Sequence, residues 1–257
     1  MRTSMIIIKS EQELQQMRRA GMLAAQALRA VAGAVRPGVT GLELDRLAET
    51  FIRDHGGVPS FKGYRGFPAS VCISLDDEVV HGIPHGRPLR EGQIVSLDLG
   101  AVVEGFHGDV AVTVPVGVIP EEVGRLLTVA REALFKGITA IRPGRRLGDV
   151  GAAIQTHVEA AGCSVVRDFA GHGIGRSLHE EPQVPNFGEP GTGPQMRAGM
   201  TLAIEPMVNL GGFEVTMDDD GWTVRTRDSR PSAHFEHTVA VMPGGAQVLT
   251  AIPGGVI

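Results

Sequence analysis

The chain has 257 residues, enough for one large α/β domain or two small ones, and folding at this size buries roughly 72 to 75% of the unfolded surface. With 24 lysines and arginines against 29 acids the net charge is −5, which argues against a surface dominated by nucleic-acid or anionic-membrane binding. Two cysteines, Cys72 and Cys163, are too few for a disulfide framework and fit a reducing compartment, so a cytoplasmic protein is expected.

The segment SEQELQQMRRAGMLAAQALRAVAGAVRPG carries a capping box at Ser10 and Glu13, helical spacing of Leu14, Met17, Ala20 and Ala24, and a Pro-Gly stop at 37 and 38. It predicts one long helix. Gln26 and Arg29 interrupt its apolar run at 20–36, so the helix is amphipathic and no membrane span. MIII at 5–8 is too short for a signal-peptide core. TGLELDRLAETFIRDHGG predicts a second helix, capped at Thr40 and ended by Gly56-Gly57, ahead of strand-like segments near 71–75, 93–103 and 109–117. PEEVGRLLTVAREALFKGITAIRPG and RRLGDVGAAIQTHVEAAG predict another helix pair, followed by apolar strand candidates near 164, 200–208, 223–226 and 235–242. Both helix pairs break at Arg-Pro-Gly, at 36–38 and 142–144, and the second helix of each ends at glycine. The expectation is an α+β fold in which duplicated helix-helix-strand halves, about 10–118 and 120–250, pack into a single domain spanning 1–257.

QIVSLDLGAVVEGFHGDVAVTV reads as two strands around Glu104-Gly105. If that pair is a two-residue turn, paired residue numbers sum to 209, so position 98 opposes 111 and position 100 opposes 109. Asp98 and Asp109 then share one face as diagonal neighbours, with Cβ atoms roughly 7 to 8 Å apart. A register slip of one residue would put them on opposite faces. Strand interiors disfavour aspartate, and a lone one is most simply read as solvent-facing on an edge strand. Glu205 within TLAIEPMV and Glu236 within AHFEHTVAVM weaken that reading, because four acids then sit in apolar strand candidates. Buried together and unpaired they would be prohibitively costly, whereas two divalent cations would neutralise them. His172 adds a neutral nitrogen donor. Four carboxylates and one imidazole favour Mn, Fe, Co or Zn over a thiolate-selected metal.

GHGIGRSLHEEP at 171–182 lacks the lysine of a phosphate loop and its glycine register. Its histidines, His172 and His179, are seven residues apart and do not fit the i, i+4 spacing of a helical metal pair, so no shared ligand role is expected.

HGIP at 81–84, SLDLGAVVEGFHGD at 96–109, GHGIGRSLHEEP, IEPMV at 204–208 and FEHT at 235–238 occur in this order across nearly the whole chain. Together they resemble type I methionine aminopeptidases. The resemblance implies the pita-bread fold, whose internal two-fold matches the repeated helix pairs, with a central antiparallel sheet and a dinuclear metal site. It implies Asp98, Asp109, His172, Glu205 and Glu236 as ligands of two divalent ions, with Asp109 and Glu236 bridging, Asp98 completing one site, and His172 with Glu205 the other. The implied chemistry is metal-activated water attacking the first peptide bond of a nascent polypeptide, with Glu205 as proton shuttle and a small second residue preferred. His179 would stabilise the oxyanion, and His81 would hydrogen-bond the scissile amide or the next residue. The family's methionine pocket falls on Ser60, Tyr64, Phe67, Cys72, Leu178 and Trp222. Many relatives have cysteine in place of Ser60, phenylalanine in place of Leu178 and glutamine in place of His234.

Only 26 steps separate His179 from Glu205, which leaves no room for the helical insertion of type II enzymes. A prolidase-like activity on X-Pro bonds is the alternative enzyme, but the large N-terminal domain of prolidases is not expected here. A peptide-binding module of the same fold with decayed metal sites is the alternative outside catalysis, and all five ligand positions are filled. The resemblance also implies a monomer that meets the ribosome near its exit tunnel, for which Arg18-Arg19 and Arg142 to Arg146 are candidate basic clusters.

Overall fold

Helix starts follow from the sequence chemistry in the computed structural model, which describes residues 5–251. Helix α1, Glu11–Ala34, begins at Ser10, whose hydroxyl accepts the Glu13 amide while the Glu13 carboxylate accepts the Ser10 amide at 3.0 Å. Helix α2, Gly41–Asp54, repeats the device with Thr40 and Glu43. Each box satisfies two backbone donors that a helix start otherwise leaves open. Helices α3, Glu121–Ala140, and α4, Leu147–Ala160, form the second pair. No helix among the described residues is long and apolar enough to cross a membrane. The ends of the expected 1–257 unit, residues 1–4 and 252–257, lie outside the described residues.

The acidic hairpin has the expected register. Ile94–Val103 pairs with Phe106–Pro115 so that Asp98 opposes Ala111 and Gly100 opposes Asp109. Glu104 and Gly105 both have positive φ, 52° and 79°, as a two-residue hairpin turn that follows the strand twist requires. Arg19 on α1 reaches the turn and pairs with the Glu104 carboxylate at 3.0 Å. Helix and hairpin meet glycine on glycine: a Cβ at Gly108 would lie 2.4 Å from the Gly21 nitrogen.

All pairings in the main nine-stranded sheet are antiparallel. Its path runs Val58–Pro59, Ile94–Val103, Phe106–Pro115, Glu236–Met242, Thr201–Ile204, Ala170–Gly173, Glu180–Pro185. Cys72–Leu75 adds to Ile94–Val103, and Gly245–Val248 adds to Glu236–Met242. The halves join where Glu236 and His237 pair with Ala111 and Val110. This is the pita-bread arrangement, with α1 and α2 serving the first half and α3 and α4 the second. The main core lies between the helices and the sheet.

Two expectations change in detail. The segment near 200–208 divides at Glu205-Pro206 into Thr201–Ile204 and Met207–Asn209, which join different sheets. Proline cannot donate to a ladder, so the break falls beside Glu205. Ala170–Gly173 and Glu180–Pro185, within and around GHGIGRSLHEEP, are strands that the glycine-rich sequence did not suggest. Their glycines serve close packing: a Cβ at Gly173 would lie 2.2 Å from the Glu181 carbonyl oxygen.

Candidate metal centre and substrate cavity

Strand register alone gathers the acids. Directly opposed residues share a face, and so do residues two apart on one strand. Cys72, Asp98, Ala111 and Glu236 are successive partners across four strands. One step along the same face, Gly100 faces Asp109, while Thr238, Ala203 and His172 continue the row on the other side. Thr238 Oγ1 locks the two sides together by accepting the Asp109 amide at 2.9 Å and donating to its carbonyl. Glu205 follows Ile204 at the strand end. The five sequence-predicted ligand residues therefore converge on one face, and the small Ala111 and Ala203 between them leave the space open.

Asp98, Asp109, His172 and Glu236 are buried, and the Glu205 side chain is 14% exposed. Donor atoms of Asp109, His172 and Glu236 lie within 4.8 Å of one another, and His172 Nε2 is 3.5 Å from Glu205 Oε1. Burial raises the carboxyl groups of Asp98, Glu205 and Glu236 well above the usual range, and the neighbouring carboxylates raise them further. Asp109 is raised by the same burial. The His172 pKa is lowered to about 4, again by burial. His172 Nδ1 lies 2.8 Å from the Gly173 carbonyl oxygen, which can only accept, so Nδ1 carries the proton and Nε2 presents a lone pair to the carboxylates. Asp98 Oδ1 and Glu236 Oε1 are buried without a hydrogen-bond partner. Orphaned carboxylate oxygens beside a correctly tautomerised imidazole fit divalent cations of the hard-to-borderline kind.

The same five side chains line part of a cavity of about 140 Å³. Tyr64, Phe67, Cys72, Leu178 and Trp222 line it, as do His81 and His179. Phe67 meets Trp222 edge-on at 5.1 Å, and Leu178 is buried in a cluster with Phe61, Phe67 and Cys72. Burial, and then the adjacent Asp98, raise the Cys72 thiol far above its ordinary pKa, so it is a neutral, weakly polar wall. A cavity of roughly 150 Å³ holds a benzene-sized guest, so this one has room for a single medium-sized side chain.

Ser60 is placed differently from the expectation. It does not line the cavity, and its hydroxyl lies 3.0 Å from His107 Nδ1. Phe61 takes the lining position, and Arg65, which the sequence reading also omitted, stands at the cavity wall. Their only sequence signal was proximity to Tyr64 in SFKGYRGF. His81 has a left-handed backbone (φ 61°) and its ring packs edge-on to Phe169 at 5.5 Å. His234 is buried with Nε2 unpartnered, and burial, then His81, lower its pKa to about 3.

His172 and His179, seven apart in sequence, lie against each other with ring centroids 4.1 Å apart and planes tilted by 36°. The turn between Gly173 and its partner Glu180 brings them together. His179 is outside the three-residue donor group, and its Nδ1 lies 2.9 Å from the Tyr64 hydroxyl. Burial, followed by His172, lowers its pKa to about 3.

This sheet, with buried carboxylates and one imidazole on a single face, defines a metallopeptidase: the profile of metallopeptidase family M24 matches residues 15–243, and the chain belongs to that family. Members use divalent metal ions. The chain is similar to a methionine aminopeptidase from Clostridium perfringens, 54% identical over 248 residues that cover 96% of this chain and 100% of that one. It is likewise similar to methionine aminopeptidase 1 from Bacillus subtilis, at 48% identity over 96% of this chain and 100% of that one. The crystal structure of methionine aminopeptidase from Thermotoga maritima superposes with a TM-score of 0.95 at 47% identity, covering 96% of this chain and 100% of that one.

Proposed function

We propose that the protein removes the N-terminal methionine from nascent polypeptides, preferring a small second residue, with two divalent ions of the Mn, Fe, Co or Zn kind. The observation that supports this reading is that Asp98, Asp109, His172, Glu205 and Glu236 line the same cavity as Tyr64, Phe67, Cys72, Leu178 and Trp222, with donor atoms of Asp109, His172 and Glu236 within 4.8 Å of one another. Asp109 and Glu236 would bridge the ions, Asp98 would complete one site, and His172 with Glu205 the other. Divalent metal bound there supplies a water of lowered pKa and polarises the scissile carbonyl.

The remaining work falls to the chain's own residues. Tyr64, Phe67, Cys72, Leu178 and Trp222 take the methionine side chain, with ring edges available to its sulfur. Glu205 takes up the proton of the attacking water and returns it to the leaving amine. When the Tyr64 hydroxyl donates to Nδ1, the neutral His179 ring carries its proton on Nε2 and donates it to the oxyanion. His81, fixed by its strained backbone and by Phe169, hydrogen-bonds the scissile amide or the next residue. The protein would meet the ribosome through Arg18-Arg19 and Arg142 to Arg146, of which Arg19 pairs with Glu104 at the surface and Arg146 donates to the Gly193 carbonyl at 2.7 Å.

The test is hydrolysis of Met-X-Ser peptides, with X varied from Gly to Leu, by protein loaded anaerobically with each metal. Methionine release confined to small X is expected. Hydrolysis of an X-Pro dipeptide in preference to Met-Ala-Ser would favour a prolidase-like enzyme, and peptide binding without metal-dependent hydrolysis would favour a binding module.

A further inference from the structure

Lys9 lies in the extended segment before α1, 171 residues away from Glu180, yet the two form an ion pair whose side chains are only 3% and 6% exposed. None of the chemistry outlined above uses either residue. Taking two charges this far out of water is costly, and apolar side chains of similar volume hold two segments together equally well. What an ion pair adds is direction, through fixed hydrogen bonds at each end.

Those bonds are in place. The Lys9 amide donates to the Gly199 carbonyl at 2.8 Å, which fixes the segment against the second half of the fold. Glu180 Oε2 receives the Lys9 ammonium, and Oε1 accepts the Ser177 amide at 3.2 Å. Gly175 lies flat on the pair: a Cβ there would sit 2.6 Å from both Lys9 Cε and Glu180 Oε1. The Gly175 carbonyl also accepts the His107 amide at 2.8 Å, from the acidic hairpin. The turn of residues 174–179 is thus clamped between the N-terminal segment and the hairpin that carries Asp98 and Asp109. Its last two residues, Leu178 and His179, line the cavity.

We infer that Lys9 and Glu180 are positioning residues, and that their buried ion pair aims His179 and the Leu178 wall at the substrate. The inference rests on the proposed roles of His179 and Leu178. A displacement of about 1 Å at a reacting group can cost roughly a hundredfold in rate, so a loosened turn acts chiefly on kcat.

The experiment compares the full chain with Lys9→Met, Glu180→Gln, Lys9→Met/Glu180→Met and Lys9→Arg. It reads kcat and KM on Met-Ala-Ser, hydrogen exchange of the amides of residues 174–180 in metal-free protein, and Tm. Both single neutral variants and the double methionine variant should lose about tenfold or more in kcat, with KM within about threefold. The Gly175 and Ser177 amides should exchange at least about tenfold faster while the rest of the chain does not. Lys9→Arg, which keeps the charge, should recover most of the kcat. The double methionine variant restores apolar packing and keeps the chain folded if a single variant does not fold. Wild-type kcat and exchange in that double variant would overturn the inference, as would faster exchange spread over the whole chain. If the natural protein does not release methionine, the proposed function fails, and local exchange still decides whether the pair holds the turn.

Discussion

Replacing Leu178 by phenylalanine probes the wall of the proposed methionine pocket. Leu178 is 3% exposed and packs with Phe61, Phe67 and Cys72 along a cavity of about 140 Å³. A ring at this position narrows the cavity and adds an aromatic edge beside the thioether. A sulfur–aromatic contact contributes about 0.3–1.5 kcal/mol, which at about 1.4 kcal/mol per decade is a two- to twelvefold preference for methionine over norleucine. Norleucine has nearly the same shape and no sulfur, so the comparison isolates that contact. The larger side chain also strains a filled cluster, at about 1–3 kcal/mol of stability, so Tm is followed alongside. The assay is kcat/KM on methionyl-, norleucyl- and leucyl-Ala-Ser, with both proteins loaded with one metal. We expect the methionine-to-norleucine ratio to rise two- to twelvefold in Leu178→Phe. Equal ratios in the two proteins would refute the assignment of Leu178 to the pocket wall.

Other outcomes follow from the same geometry. Tyr64→Phe removes the hydroxyl 2.9 Å from His179 Nδ1 and should lower kcat about two- to twelvefold, the worth of one net hydrogen bond, with little change in KM or Tm. Gly173→Ala drives a Cβ into the Glu181 carbonyl, so it should lower Tm and weaken metal affinity together through the displaced His172, as calorimetry and metal titration would show. Asp45, which accepts the Ser70 and Val71 amides, has its carboxyl raised by burial, and those bonds only partly offset the rise. A raised folded-state pKa contributes stability below the unfolded value that is lost as pH rises through the folded value. Asp45→Asn should therefore gain on the natural protein as pH rises above the unfolded value of about 4; a difference in urea-unfolding free energy that stays constant as pH rises would contradict this.

Features with local causes were legible in the sequence. The capping boxes at Ser10 and Thr40 and the hairpin register around Glu104-Gly105 depend on residues within a few positions of one another, and the structure matches them. Burial of Asp98, Asp109 and Glu236 followed from their place inside otherwise apolar strand segments, and the strands are buried on both faces along most of their length. The strands around GHGIGRSLHEEP were hidden because glycine has low strand propensity, and its packing role appears only once neighbouring backbones are present. The contact of His172 with His179 forms beside a ladder that shifts register between His172 and Gly173. No spacing rule anticipates such a shift. Ser60 was assigned by resemblance to a pocket that its neighbour Phe61 lines, and its hydroxyl is engaged by His107 instead. The Lys9–Glu180 pair joins distant segments and leaves no local trace.

The most direct test of the whole account is metal content measured together with methionine release, in the natural protein and in Asp109→Asn. Asp109 is proposed to serve both metal sites, so its loss should affect both. The account predicts about two divalent ions per natural chain after anaerobic loading, with methionine released from Met-Ala-Ser only by the loaded form. It also predicts that Asp109→Asn loses both metal and activity while remaining folded. Full release of methionine by exhaustively chelated protein, or by an Asp109→Asn variant shown to hold no metal, would contradict it.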